Sequence, residues 1–166
     1  MIQYVKFLGP NGSGKTYQSE RLAESSNLFE FVPMQLPCTS PEEADDIEKR
    51  QAFVFNWIES FYDNRKSDRI IVTDRSFICN AVFSDMFIAN KKVARQYVNV
   101  ALDAELESKH RSIFVLLPVR DYTEREGKTS SLYKDMEKQK RIYEKYLELG
   151  SKIGIKFLSS ADEIVI

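Results

Sequence analysis

The chain has 166 residues, 43% hydrophobic and 30% charged, the composition of a soluble globular chain that one domain can span. Its 24 basic and 25 acidic residues nearly cancel, so no basic face is expected and nucleic acid is not an expected partner. Cys38 and Cys79 form no C-x-x-C pattern and His110 is the single histidine, which argues against a zinc site or a disulfide framework, and no apolar run approaches membrane-spanning length.

Residues 2–8 are an apolar run that reads as a buried first strand. With that strand starting at once, no signal peptide is expected, and a cytoplasmic protein with reduced thiols is expected. Gly9-Pro10-Asn11-Gly12-Ser13-Gly14-Lys15-Thr16 follows and fits G-x-x-x-x-G-K-[ST] at every fixed position. Residues 16–25 then read as a helix, so the motif lies between strand and helix as a phosphate-binding loop must. Glycines let such a loop curl its N–H groups inward onto phosphate oxygens, and the helix N-terminus adds a positive dipole end. Asn11, Gly12, Ser13, Gly14, Lys15 and Thr16 are therefore expected to hold ATP. Lys15 would reach the β- and γ-phosphates, and Thr16 would ligate Mg²⁺. A plain Gly-rich turn needs neither Lys nor Thr.

Residues 28–32 read as a short second strand stopped by Pro33, followed by a loop rich in Pro, Ser and Thr. Ser40-Pro41-Glu42-Glu43 is a helix start, with Ser as N-cap and Pro at the first helical position. The helix it opens is expected to run to about Asn64, with Ile47, Phe53, Val54, Trp57, Ile58 and Phe61 at near-helical spacing. Its rings are too many for one face. Most belong in a core, but a flat base could stack on a Phe or on Trp57 and Asn56 could hydrogen-bond its edge, with Phe55 and Asn56 as open to that role as to packing. Glu30, Glu42 and Glu43 are candidate bases, although the last two serve equally as helix-start residues and Glu30 falls within the strand.

Residues 69–74 (Arg-Ile-Ile-Val-Thr-Asp) form a β-branched strand that ends in a carboxylate. Downstream of a phosphate loop, Asp74 at that position suits a Mg²⁺-holding or nucleophile-orienting role; an Asp here would also cap the next helix. Arg75 follows directly and could clamp an acceptor phosphate, or instead pair with a surface carboxylate. Residues 77–88 and 91–108 read as helices and residues 112–117 as a strand stopped by Pro118. The charged segment Arg120-Asp121-Tyr122-Thr123-Glu124-Arg125-Glu126-Gly127-Lys128 reads as a loop with Arg120, Arg125 and Lys128 around a flexible Gly. Such cations can close over a transferring phosphoryl group, although charged solvated loops are common. Residues 132–149 read as a helix ending at Gly150, and residues 153–158 as a last strand.

Alternating strands and helices imply an α/β fold: a parallel sheet with helices on both faces and ligands beyond the carboxyl ends of the strands. The whole chain is expected to be one domain, with a lid at about residues 120–131.

On these residues the chain resembles the P-loop nucleoside and nucleotide kinases, most of all the thymidylate kinases, the deoxynucleoside kinases and the related small kinase-like ATPases of phages and bacteria. The phosphate loop, Val72-Thr73-Asp74-Arg75-Ser76 with Asn80-Ala81-Val82-Phe83, and Phe53-Val54-Phe55-Asn56-Trp57 carry the resemblance. Gly127-Lys128-Thr129-Ser130-Ser131 and Tyr143-Glu144-Lys145-Tyr146-Leu147-Glu148-Leu149 look like the lid and final helix of these proteins. The resemblance implies a three-layer P-loop NTPase fold on a five-stranded parallel sheet. It also implies ATP as donor, Mg²⁺ as cofactor and a small nucleoside or nucleotide acceptor. Lys15, Asp74, Arg75, Arg120, Arg125 and Lys128 would be catalytic, Thr16 and Asp74 would hold the metal, and Phe53, Asn56 and Arg75 would bind the acceptor. A deoxynucleoside monophosphate is the expected acceptor and a nucleoside the alternative; the partners expected are ATP and that acceptor, with room for a homodimer. Three departures bear on the acceptor side: Val32-Pro33 stands where deoxynucleoside kinases place Glu-Pro, Pro10-Asn11 where thymidylate kinases often carry Asp, and Asn56 where Gln reads the base. A regulatory P-loop ATPase acting on a protein partner is the reading from a different class. A GTPase is disfavoured because Asn90-Lys91-Lys92-Val93 lacks the Asp that would read guanine.

Overall fold

Five short strands built from β-branched and aromatic residues pair in parallel, in the order β2-β3-β1-β4-β5. They are β1 (Tyr4–Leu8), β2 (Phe29–Val32), β3 (Ile70–Thr73), β4 (Ser112–Leu116) and β5 (Phe157–Leu158). The helices are α1 (Lys15–Ser25), α2 (Phe77–Phe87), α3 (Lys91–Lys109) and α4 (Met136–Lys152). This computed structural model describes residues 1–33, 67–120 and 135–166, with Asn56, Ile58 and Tyr62, which are helical, from the segment between. The α/β fold and five-stranded parallel sheet expected from the sequence are those observed.

The two faces of the sheet follow strand alternation. Val5 and Phe7 of β1, Ile70 and Val72 of β3, and Val115 with Leu117 form a core that Leu22 of α1 joins. On the opposite face, Leu8, Phe114 and Leu116 meet Ile78 and Val82 of α2, Ala101 and Leu102 of α3, and Ile142, Tyr146 and Leu149 of α4. A sheet covered on both faces explains why β1 and β3 are buried along their whole length. Lys6 is the exception in type but not in burial: a lysine in the central strand with no exposed surface.

Lys6 is satisfied by residues distant in sequence. Its Nζ lies 2.5 Å from Glu105 Oε1 of α3 and 2.7 Å from Ser108 Oγ. The ammonium also lies over the rings of Tyr62, Phe114 and Tyr4, at 4.8, 5.1 and 5.5 Å from their centroids, a setting in which a desolvated cation is attracted to ring faces. Burial pushes the Lys6 pKa down and Glu105 opposes that shift.

The end of the chain differs from the expectation. Helix α4 runs through Gly150 to Lys152, and β5 shortens to Phe157–Leu158. Gly150 serves packing rather than termination, since a Cβ there would overlap the Phe157 ring. Gly154 is the residue that ends the helix, with φ of +67°. The Ile155 N–H donates to Gly150 O (2.8 Å) and the Gly154 N–H to Ser151 O (3.1 Å), the paired bonds of a Schellman motif.

Exchanging these two glycines for alanine separates the roles. Gly154→Ala puts a side chain in the left-handed region and is expected to cost about 1–2 kcal/mol. Gly150→Ala should cost roughly 1–3 kcal/mol through overpacking against Phe157, although Ala is the better helix former. Urea unfolding of both variants measures this; a stabilised Gly150→Ala protein would contradict the packing assigned to Gly150.

Candidate active site

In this parallel sheet the described loops after β1, β3 and β4 leave from one rim, and β1, between β3 and β4, is where the strand order reverses. Open α/β sheets bind ligands at such a point. The loop after β1 is residues 9–14. Gly9 approaches the backbone so closely that a Cβ would stand 2.8 Å from both Leu117 O and Ser13 Oγ, which no larger residue fits. Gly12 and Gly14 take φ of +78° and +93°. Gly14 is the N-cap of α1, no side chain caps that helix, and its first turn holds no acidic residue. The first N–H groups of α1 therefore face the loop as a ready anion site.

Lys15 is nearly buried, at 8% exposure, and its Nζ donates to Gly9 O (3.0 Å) and Pro10 O (2.8 Å). These bonds fold the ammonium over the loop it would serve. Asn11 and Gly12 are half-buried, Ser13 is buried, and Thr16 is exposed at the loop's outer edge.

Asp74 comes to this loop from β3. Thr16 Oγ1 donates to Asp74 Oδ2 at 2.7 Å, bridging residues 58 apart in sequence. A hydroxyl and a carboxylate converging beside a phosphate loop are hard oxygen donors of the kind Mg²⁺ accepts alongside phosphate and water, so the residues present fit that ion. Ser19 Oγ of α1 adds a bond to Thr73 O (3.4 Å), and Thr73 Oγ1 donates to Arg75 O (2.8 Å), so the turn bearing Asp74 is held from both sides.

Arg75 is half-buried and lies within electrostatic reach of two buried groups behind the loop. Burial pushes the Cys79 thiol up, and the Arg75 cation works against it. Burial likewise pushes the Tyr146 hydroxyl well up, and there too Arg75 and the Gly9 backbone oppose the shift. Tyr146 of α4 is thus close enough to feel both Arg75 and the Gly9 backbone, and it is not among the site residues expected from the sequence.

Arg120 is exposed, and its guanidinium lies over Gly14, with Nη1 3.4 Å from where a Cβ would be. It also borders a groove of about 480 Å³ beside the loop, lined in addition by Gln18, Arg21, Leu117, Ser160 and Asp162. A larger hollow of about 770 Å³, among Gln3, Ser67, Arg69 and Val165, lies at the amino ends of β1 and β3, away from this rim. The structure therefore brings together residues 11–16, Asp74, Arg75 and Arg120. Arg125, Lys128, Phe53, Phe55, Glu42 and Glu43 lie outside the described residues. Asn56 is helical and exposed. Glu30 is within β2, and its carboxylate accepts from Ser67 Oγ at 2.9 Å, a bond that draws it toward the amino end of the sheet and away from this rim. Lys6 and Glu105 are what sequence reading missed: a lysine in an otherwise apolar strand was the one available signal.

A family model described as an AAA domain matches residues 4–162. Among solved structures, the chain is similar to deoxyadenosine kinase from M. mycoides with bound dATP, at a TM-score of 0.66 and 16% identity over 99% of this chain and 93% of that one. It is also similar to thymidylate kinase from Candida albicans, at a TM-score of 0.61 and 14% identity over 95% and 83% of the two chains. A third likeness is to the YorR protein from Bacillus subtilis in complex with phosphorylated GDP, at a TM-score of 0.53 and 17% identity over 95% and 84%. No curated protein matches the sequence. Identities this low speak to the fold, which is that of the P-loop nucleotide and nucleoside kinases, and the match over residues 4–162 shows that the chain belongs to the AAA domain family.

Proposed function

We propose that the protein transfers the γ-phosphoryl group of ATP to a small nucleoside or nucleotide, with a deoxynucleoside monophosphate as the favoured acceptor. The observation that carries this reading is the junction of Thr16 and Asp74 at 2.7 Å, which brings together the two residues that adjoin Lys15 and Arg75 in sequence. A loop that only held a triphosphate would not need a second cation in the turn after the neighbouring strand. Fold likeness to kinases of nucleosides and nucleotides supports the same reading.

In this account, residues 11–14 and the N-terminus of α1 surround the donor phosphates with N–H groups. Lys15 exchanges its bonds to Gly9 O and Pro10 O for the β- and γ-phosphate oxygens, keeping its charge paired while the ligand is bound. Thr16 and Asp74 hold Mg²⁺, which when bound offsets phosphate charge. The groove beside Gly14 takes the donor base, with Arg120 between base and phosphates. Arg75 meets the acceptor phosphate, because a half-buried guanidinium offers paired N–H donors to an anion. Arg125 and Lys128, following Arg120 in sequence, complete the cationic lid, and Phe53 and Asn56 serve the acceptor base.

A coupled assay for ADP release over a panel of nucleosides and their monophosphates tests the activity. Release that depends on one of them is expected, and release that none of them stimulates would refute it. Lys15→Ala should weaken ATP binding by about 1.5–3 kcal/mol, roughly ten- to a hundredfold, with the fold intact by circular dichroism.

Arg75→Ala distinguishes the acceptor class. With a monophosphate acceptor, kcat/KM should fall roughly ten- to a hundredfold while ATP affinity holds. An unchanged acceptor KM would point to an unphosphorylated nucleoside instead.

A further inference from the structure

We propose that Glu105 is a positioning residue for the metal side of this site: from α3 it holds the β3–α2 turn so that Asp74 meets Thr16. The inference rests on the Mg²⁺·ATP reading given above. Glu105 has no exposed surface. Its Oε1 takes the Lys6 ammonium, and its Oε2 accepts from Ser76 Oγ and from the Ile78 N–H at 2.9 Å. One whole carboxylate oxygen is thus given to the first residues of α2, two positions beyond Asp74.

Stability alone does not account for this arrangement. Replacing a buried ion pair by apolar side chains of similar volume is often neutral or stabilising. What an apolar pair cannot supply is a fixed acceptor for Ser76 Oγ and the Ile78 N–H. Those bonds anchor the far side of the turn, while Thr73 Oγ1 on Arg75 O and Ser19 Oγ on Thr73 O anchor the near side. Lys6 sits in β1, whose carboxyl end opens directly into the phosphate loop. The pair therefore ties the strand that carries the loop to the turn that carries Asp74, and the Thr16–Asp74 distance is set from behind. Glu105 touches no ligand in this account and acts through Ser76 and Ile78.

The test uses paired substitutions that leave no orphaned charge. Binding of a fluorescent ATP analogue is titrated in Mg²⁺ and in EDTA, and the ratio of the two affinities is the readout. In Lys6→Met/Glu105→Leu the ratio should fall by about tenfold, or 1.4 kcal/mol, with affinity in EDTA nearly unchanged. In Lys6→Met/Glu105→Gln the amide oxygen still accepts from the α2 terminus, and the wild-type ratio should be kept. Ser76→Ala, which leaves the ion pair in place and threatens folding least, should lower the ratio about threefold. A wild-type ratio in the Leu variant or in Ser76→Ala overturns the proposal. So does a loss of affinity that is the same in Mg²⁺ and EDTA, which is what a merely structural role would produce. Wild-type protein that binds ATP equally in both conditions overturns the metal assignment and this role with it. Wild-type protein that binds no ATP in either condition refutes the broader functional reading.

Discussion

A desolvated ion pair in the middle of the molecule constrains much of what surrounds it. Lys6 and Glu105 are both fully buried, and removing one partner of such a pair strands the other at a cost of about 3–5 kcal/mol. Three elements must therefore remain in register: β1, which carries Lys6; α3, which carries Glu105; and the start of α2, which donates to Glu105 through Ser76 and Ile78. The rings of Tyr4, Phe114 and Tyr62 close the remaining space around the ammonium, and Tyr62 extends the arrangement by stacking on Phe77 at 5.2 Å. The carboxylate saturates both oxygens and the ammonium finds Ser108 as well, so neither charge is left to water.

The geometry of the rim follows from that frame. Loops can differ in sequence and length, but the phosphate loop and the Asp74–Arg75 turn begin at strands whose ends are locked to each other. Thr16 and Asp74 can then share a bond across two crossovers of the chain, with the Lys15 ammonium paired to loop carbonyls beside them. Tyr146, fully buried in α4 and close to the Gly9 backbone, brings the helix that follows residues 121–134 near the loop. The phosphate loop and the Asp74–Arg75 turn thus rest on one packed unit.

The parts of this architecture that sequence reading recovers are those with local causes. The phosphate loop is legible because glycine, lysine and threonine are each required at fixed spacing. β3 is legible because a β-branched run ends abruptly in Asp74, and the parallel sheet follows from alternation of strands with helices. What escapes has non-local causes. Lys6 and Glu105 are 99 residues apart, and nothing near either one announces the other. Gly150 has the look of a helix terminator; only the Phe157 ring, from the next strand, explains why glycine stands there inside a helix. Glu30 has the chemistry of a base, yet Ser67 holds it toward the other end of the sheet. Arg120 lies against the loop at Gly14, while residues 121–131, the rest of the expected lid, lie outside the described residues.

The central claim is that this rim joins a phosphoryl donor to a small acceptor. The most direct measurement follows the label: protein is incubated with γ-³²P ATP, Mg²⁺ and a mixture of nucleosides and nucleoside monophosphates, and the products are separated. The account predicts that the label appears on a nucleotide of the mixture, ahead of inorganic phosphate. Label found only in inorganic phosphate, only on protein, or remaining wholly in ATP would contradict it.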